Sequence, residues 1–222
     1  MEIEAARQAV AGILPPFQLD ILVERVTGAV IPEVGTTGRA YRPGLCALTV
    51  DPLNPNFAVS LDHGDIRRTI AHEVHHCRRF AGPGYGHTLG EALVSEGLAG
   101  HFAGTLFDAP PEPWECALDD AALRAHRPSA AELRAPNQDH AGWFFGAGGR
   151  HPRWLGYTLG YRIVGDWLAA NPAPDGETWV NVPADMSSSP PLRGPPRRER
   201  PVNDPSGPRL MRVHLPSRSP HG

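Results

Sequence analysis

Ala71-His72-Glu73-Val74-His75-His76 is the stretch on which the reading of this chain turns. Two histidines, at 72 and 76, bracket a glutamate in the pattern H-E-x-x-H. On an α-helix, positions i and i+4 lie one above the other on the same face, so both imidazoles reach one metal ion. Each residue turns the helix by about 100°, which sets Glu73 about 100° from His72 and about 60° from His76. Its carboxylate then falls beside the metal rather than on it, where it can take a proton from a metal-held water.

A helix of this kind needs an apolar back. Ile66, Ile70, Val74 and Cys77 recur at spacings of four, four and three and form that stripe. The stripe lies about 120–200° round from the histidines, so the helix has a core face and a metal face. Asp62 or Asp65 is the expected cap at its start, and Gly82-Pro83-Gly84 ends it. Cys77 falls on the apolar side and reads as a small core residue, not as a ligand. With Cys46 and Cys116 it makes an odd, sparse set that does not suggest a disulfide framework.

A catalytic zinc ion takes three protein ligands and leaves one position for water. The extension H-E-x-x-H-x-x-G-x-x-H is absent, because position 79 is Arg and position 82 is Gly. A second helical segment, Leu89 to Phe102, follows instead, and Glu96 lies twenty residues after His76. Its helix neighbours Ala92, Ala99 and Gly100 are small and permit close approach to the first helix. Glu91 is the competitor, about 140° round from Glu96, so the two cannot point at one ion. Glu96 is the expected third ligand.

These residues carry a resemblance. Thr69–His76 with Leu93-Val94-Ser95-Glu96-Gly97-Leu98-Ala99 resembles a bacterial family known as predicted zinc-dependent proteases. The likeness extends to Gly38–Tyr41 leading to Val50-Asp51-Pro52, to Trp143–Gly146 and to Gly156–Val164, and so spans about residues 1–186. It implies a gluzincin, similar to thermolysin in using two histidines and a later glutamate. It also implies peptide or protein substrates and Zn2+ as cofactor. The implied fold is α+β: a mainly helical zincin-like domain with a small N-terminal β-sheet and the metal site between two helices. One departure is Gly100, where thermolysin-like enzymes carry an aspartate that orients a histidine. Another group must do that here.

Working outward, 222 residues suffice for one sizeable domain. No apolar run approaches the ~18–20 residues of a membrane helix. Acidic Glu2 and Glu4 stand where a signal peptide carries bases, so a cytoplasmic location without membrane association is expected. Residues 187–222 hold seven arginines against Glu199 and Asp204, a local +5 that leaves −8 for residues 1–186 of the total −3. An acidic body argues against nucleic acid as a partner. Nine prolines and no periodicity mark 187–222 as a disordered Pro/Arg-rich tail beyond a domain of residues 1–186.

Residues 2–13 read as a short helix ended by Pro15-Pro16, and Gln18–Val26 and Leu45–Val50 as strands. Gly35-Thr36-Thr37-Gly38 and Arg42-Pro43-Gly44 read as turns between them. Tyr41–Asp51 is the candidate for an edge strand that holds an extended substrate by strand addition, with an ordinary sheet strand as the equal alternative. Asp51–Asn56 is a loop towards the metal helix, and the Pro-rich run 109–113 breaks the second helix. Short helices are expected in 117–126 and 129–135, and a final one over Pro152–Ala170.

Peptide hydrolysis by a zinc-held water, with Glu73 as general base, also needs a donor to the developing oxyanion. Tyr157, in the family-like segment, is the first choice, with a packed core tyrosine as the plain alternative. His140, His151 and Arg162 remain unranked. His63, His75, His87, His101 and His126 read as solvated or structural. The alternative in another class is a catalytically silent zinc-binding regulatory or partner-binding domain, although an intact Glu73 is not needed there. A helical domain whose histidines merely titrate on a surface is the other alternative; it predicts no zinc and makes the Glu96 spacing a coincidence.

Overall fold

Residues 20–50 form a three-stranded sheet that sits beside the helix carrying His72 and His76, in a computed structural model describing residues 2–171 and 175–183. The segment 187–222, expected as a tail, lies outside the described residues. Helix α1 (Glu2–Ala11) buries Ala6 and Val10 and leads past Pro15-Pro16 to β1 (Asp20–Arg25), β2 (Thr36–Arg42) and β3 (Leu45–Val50). The spatial order is β1-β3-β2, with β1 parallel and β2 antiparallel to β3.

Two expectations about this region are corrected. Gly35–Gly38 is not a turn throughout: Gly35 alone turns, at φ 71°, and Thr36 already pairs with Val50 in β2. The β-branched threonines favour extended pairing over the pull of the flanking glycines. Within Tyr41–Asp51, the strand Leu45–Val50 is not an edge. It is hydrogen-bonded on both sides and buries Cys46, Ala47 and Leu48, as a central strand should. The edge beside the helix is β2, whose exposed Arg39, Tyr41 and Arg42 suit a sheet margin.

Helix α2 (Phe57–His63) and helix α3 (Asp65–Phe80), which carries His72 and His76, meet at Gly64, which adopts φ 79°. This corrects the expected cap. Asp62 lies inside α2 and Asp65 is the first residue of α3, so the left-handed glycine joins the helices without a side-chain cap. Ile66, Ile70, Val74 and Cys77 are all buried, as their spacing requires. Arg79 is buried too. It donates to Ser95 Oγ (3.2 Å) and to the carbonyls of Val180 (3.1 Å) and Val182 (3.0 Å), so α3 is tied to the short helix α9 (Gly176–Asn181).

The second long helix, α4 (Leu89–Phe107), opens with a capping box in which Thr88 and Glu91 satisfy each other's backbone N–H. It ends at Asp108, ahead of the proline run. Helix α8 (Leu155–Ala170) crosses α4 glycine on glycine: a Cβ at Gly97 would overlap Gly160 O, and one at Gly160 would overlap Leu93 O. α8 begins at Leu155, not Pro152, because Trp154 takes φ 71° while its N–H bonds Phe144 O at 3.1 Å. The short helices α5 (Asp120–Ala125), α6 (Ala130–Arg134) and α7 (His140–Phe145) complete the described fold. It is α+β and mainly helical, with the site between α3 and α4. No helix among the described residues is long and apolar enough to cross a membrane.

Candidate metal centre

Helix α3 presents His72 and His76 one turn apart, and α4 brings Glu96 to meet them. His72 Nε2 lies 3.0 Å from Glu96 Oε2 and 3.0 Å from His76 Nε2, and His76 Nε2 lies 3.5 Å from the same carboxylate oxygen. Tetrahedral zinc with bonds of about 2.0–2.1 Å sets its ligand atoms about 3.3 Å apart, so these three edges match such an ion. Two imidazole nitrogens and a carboxylate oxygen are also the donor types zinc takes. Glu91 is elsewhere: its carboxylate accepts from the N–H groups of His87 (2.8 Å) and Thr88 (2.9 Å).

Beside this cluster is a cavity of about 60 Å³, lined among others by His72, Glu73, Thr37, Gly38, Glu115 and Tyr157. Glu73 is buried against β2, where a Cβ on Gly38 would overlap its Cγ and Oε1. Burial pushes its carboxyl above the usual range, against the pull of His72 and His76. Burial acts the same way on Glu96, but the two histidines outweigh it and hold that carboxyl well below the usual range. His72 is the mirror case: burial disfavours its cation, yet Glu96, with help from Glu73 and Glu115, pushes it up to about 9. Tyr157 has its pKa pushed well above 10 by burial and by the surrounding carboxylates, so its hydroxyl stays protonated and can donate.

The remaining sequence candidates spread outward. His140 stacks on Phe144 and lies 3.4 Å from Tyr85 Oη, whereas His151 stacks on Trp143 at 3.8 Å and Arg162 pairs with Asp120 at 2.7 Å. Tyr161 stacks on His101 at 3.7 Å, and His101 also meets Tyr161 O. His75, the middle histidine, is fully buried and engages Trp179 O at 2.8 Å, a structural position.

Tyr85 was missed. Its hydroxyl donates to Glu96 Oε1 at 2.6 Å, fixing the carboxylate oxygen that does not face the histidines. The available signal was the brevity of the connection: residues 81–88 join α3 to α4, so a long side chain there cannot stray far from the site. Also missed was the group Arg68, Glu112 and Glu115, which lines the same cavity. Arg68 Nε lies 3.0 Å from Glu112 Oε1, and Glu112 N–H donates to Glu115 Oε2 at 2.7 Å.

Comparison with known proteins yields one family, described as Predicted Zn-dependent protease (DUF2268), matched over residues 2–187. No curated protein and no solved structure matches the chain.

Proposed function

Because the chain belongs to the family of predicted Zn-dependent proteases, we propose that it hydrolyses peptide bonds at the cluster of His72, His76 and Glu96, with Zn2+ as cofactor. The observation that carries this reading is the convergence of three candidate ligand atoms from two helices next to a buried carboxylate, Glu73, that stands outside the set. Zinc held by these residues would supply a Lewis acid that polarises the scissile carbonyl and acidifies water.

The protein's own groups do the rest. Glu73 takes the proton of the attacking water and returns it to the leaving amine nitrogen. Burial favours this role, since a carboxylate with a raised pKa is a stronger base. Tyr157 donates its hydroxyl to the carbonyl oxygen as negative charge develops there. The substrate backbone lies extended along the outer edge of β2, which beyond the bridge from Ile31 to Thr36 no other strand among the described residues covers. Gly38 on that strand borders the cavity beside Glu73, so a peptide bound there passes the base directly.

Elemental analysis of the purified protein tests this reading. About one zinc per chain is expected, lost in His72→Ala and Glu96→Ala and retained in Glu91→Ala, with chelator-sensitive cleavage of a peptide library. Absence of zinc after reconstitution would overturn it.

A further inference from the structure

A carboxylate withdrawn from water is rarely left without a cation, because its desolvation then goes uncompensated. Glu115 is such a residue. It is only 5% exposed, and its Oε2 accepts the N–H of Glu112 at 2.7 Å. Its Oε1 accepts no hydrogen bond among the described residues, and no basic side chain there pairs with it. Arg68, which lines the same cavity, is already committed. Its Nε lies 3.0 Å from Glu112 Oε1, and its Nη2 donates to Pro110 O at 2.7 Å. Arg68 therefore offsets Glu112, and Glu115 is left in surplus.

The rest of the cavity has the shape and lining of a site for a long basic side chain. At about 60 Å³ it has room for about four to six water-sized groups, which suits the four heavy atoms of a lysine beyond Cβ. Such a chain needs an apolar surface for its stem and an anion for its head. Ile31 and Tyr157 pack on the cluster that contains Trp114, and all three line the cavity. We propose that this cavity is a specificity pocket for a basic side chain of the substrate, with Glu115 taking the charge and Ile31, Trp114 and Tyr157 the stem. Glu73 and Tyr157 border the same cavity, so the basic residue flanks the scissile bond. The inference rests on the peptidase reading above.

The test is kcat/KM for two series of peptides, varied as Lys, Arg, Met or Glu at the residue before or after the scissile bond. In one series the basic peptides should be cleaved about ten- to a hundredfold more efficiently than the Met peptide, with Glu the poorest. Glu115→Gln keeps the size of the side chain and can still accept from Glu112 N–H. In it the ratio of Lys to Met should fall towards one. The wild-type ratio should also persist between about 0.05 M and about 0.5 M salt, because a buried pair is screened far less than a surface one. This measurement decides alone if Glu115→Gln does not fold. Equal cleavage of Lys and Met peptides, an unchanged ratio in Glu115→Gln, or a preference that vanishes at high salt would overturn the proposal and leave the peptidase reading standing. Cleavage of no peptide by the zinc-loaded protein would overturn that reading, and this inference with it.

Discussion

Gly38 on the edge strand β2 lies against the side chain of Glu73 on α3, so closely that a Cβ at 38 would overlap the glutamate's Cγ and Oε1. The glycine is thus part of the site. It lets strand and helix approach until the Glu73 side chain packs directly against β2, beside the cavity that His72 also lines.

Gly38→Ala should therefore displace Glu73 while leaving His72, His76 and Glu96 untouched. Misplacing a reacting group by about 1 Å costs up to about a hundredfold in rate. The expected result is full zinc content with kcat lowered by about that factor. Unchanged kcat would show that Glu73 does not work from this position.

Glu73→Gln keeps the shape and removes the base. Zinc should remain at about one per chain, and turnover should fall by about 10²–10⁴. A fully active variant would remove Glu73 from the mechanism.

Tyr85→Phe deletes the bond to Glu96 Oε1 and leaves a buried carboxylate oxygen without a donor. Hydrogen bonds to charged groups contribute about 1.5–3 kcal/mol, so zinc should bind about ten- to a hundredfold more weakly in chelator competition. Equal affinity would mean that Glu96 needs no such support.

Gly160→Ala forces a Cβ onto Leu93 O, a backbone atom that can yield only if α4 and α8 separate. Overpacking of this kind costs about 1–3 kcal/mol. At about 2–4 °C per kcal/mol for a chain of this size, thermal unfolding should report a clear fall in Tm. Wild-type melting would show that the crossing is looser than the glycine contact implies.

Glu112 predicts a pH effect. Burial, opposed by Arg68 and reinforced by Glu115 and Asp65, pushes its carboxyl up to about 7 from an ordinary 4.5. Between those values the folded chain holds the proton that the unfolded chain has lost. The contribution to stability is therefore intact below about pH 4.5 and declines as pH rises to about 7. In the zinc-stripped protein, the stability difference between wild type and Glu112→Gln should narrow or change sign over that window. A difference that is flat with pH would refute the shift.

The sequence by itself determined the face of α3 that carries the candidate metal ligands. His72 and His76 share one side of α3 and Ile66, Ile70, Val74 and Cys77 the other because helical geometry converts spacing into direction without help from the rest of the chain. The strand Leu45–Val50 and the proline break after α4 were legible for the same reason, since both depend on neighbouring residues. The tertiary structure alone decided that Leu45–Val50 is central and β2 the edge, that Gly38 rather than a residue of β3 meets Glu73, that Tyr85 holds Glu96, and that Glu115 fills the gap at Gly100. Each of these joins different elements, and no local period encodes such a meeting. Strand order follows from which surfaces bury best against α3. Glycine contacts follow from how closely two backbones can approach, and the left-handed Trp154 from a bond to Phe144 across a turn. Spacing along the chain chose the candidate ligands, and packing between its parts chose what surrounds them.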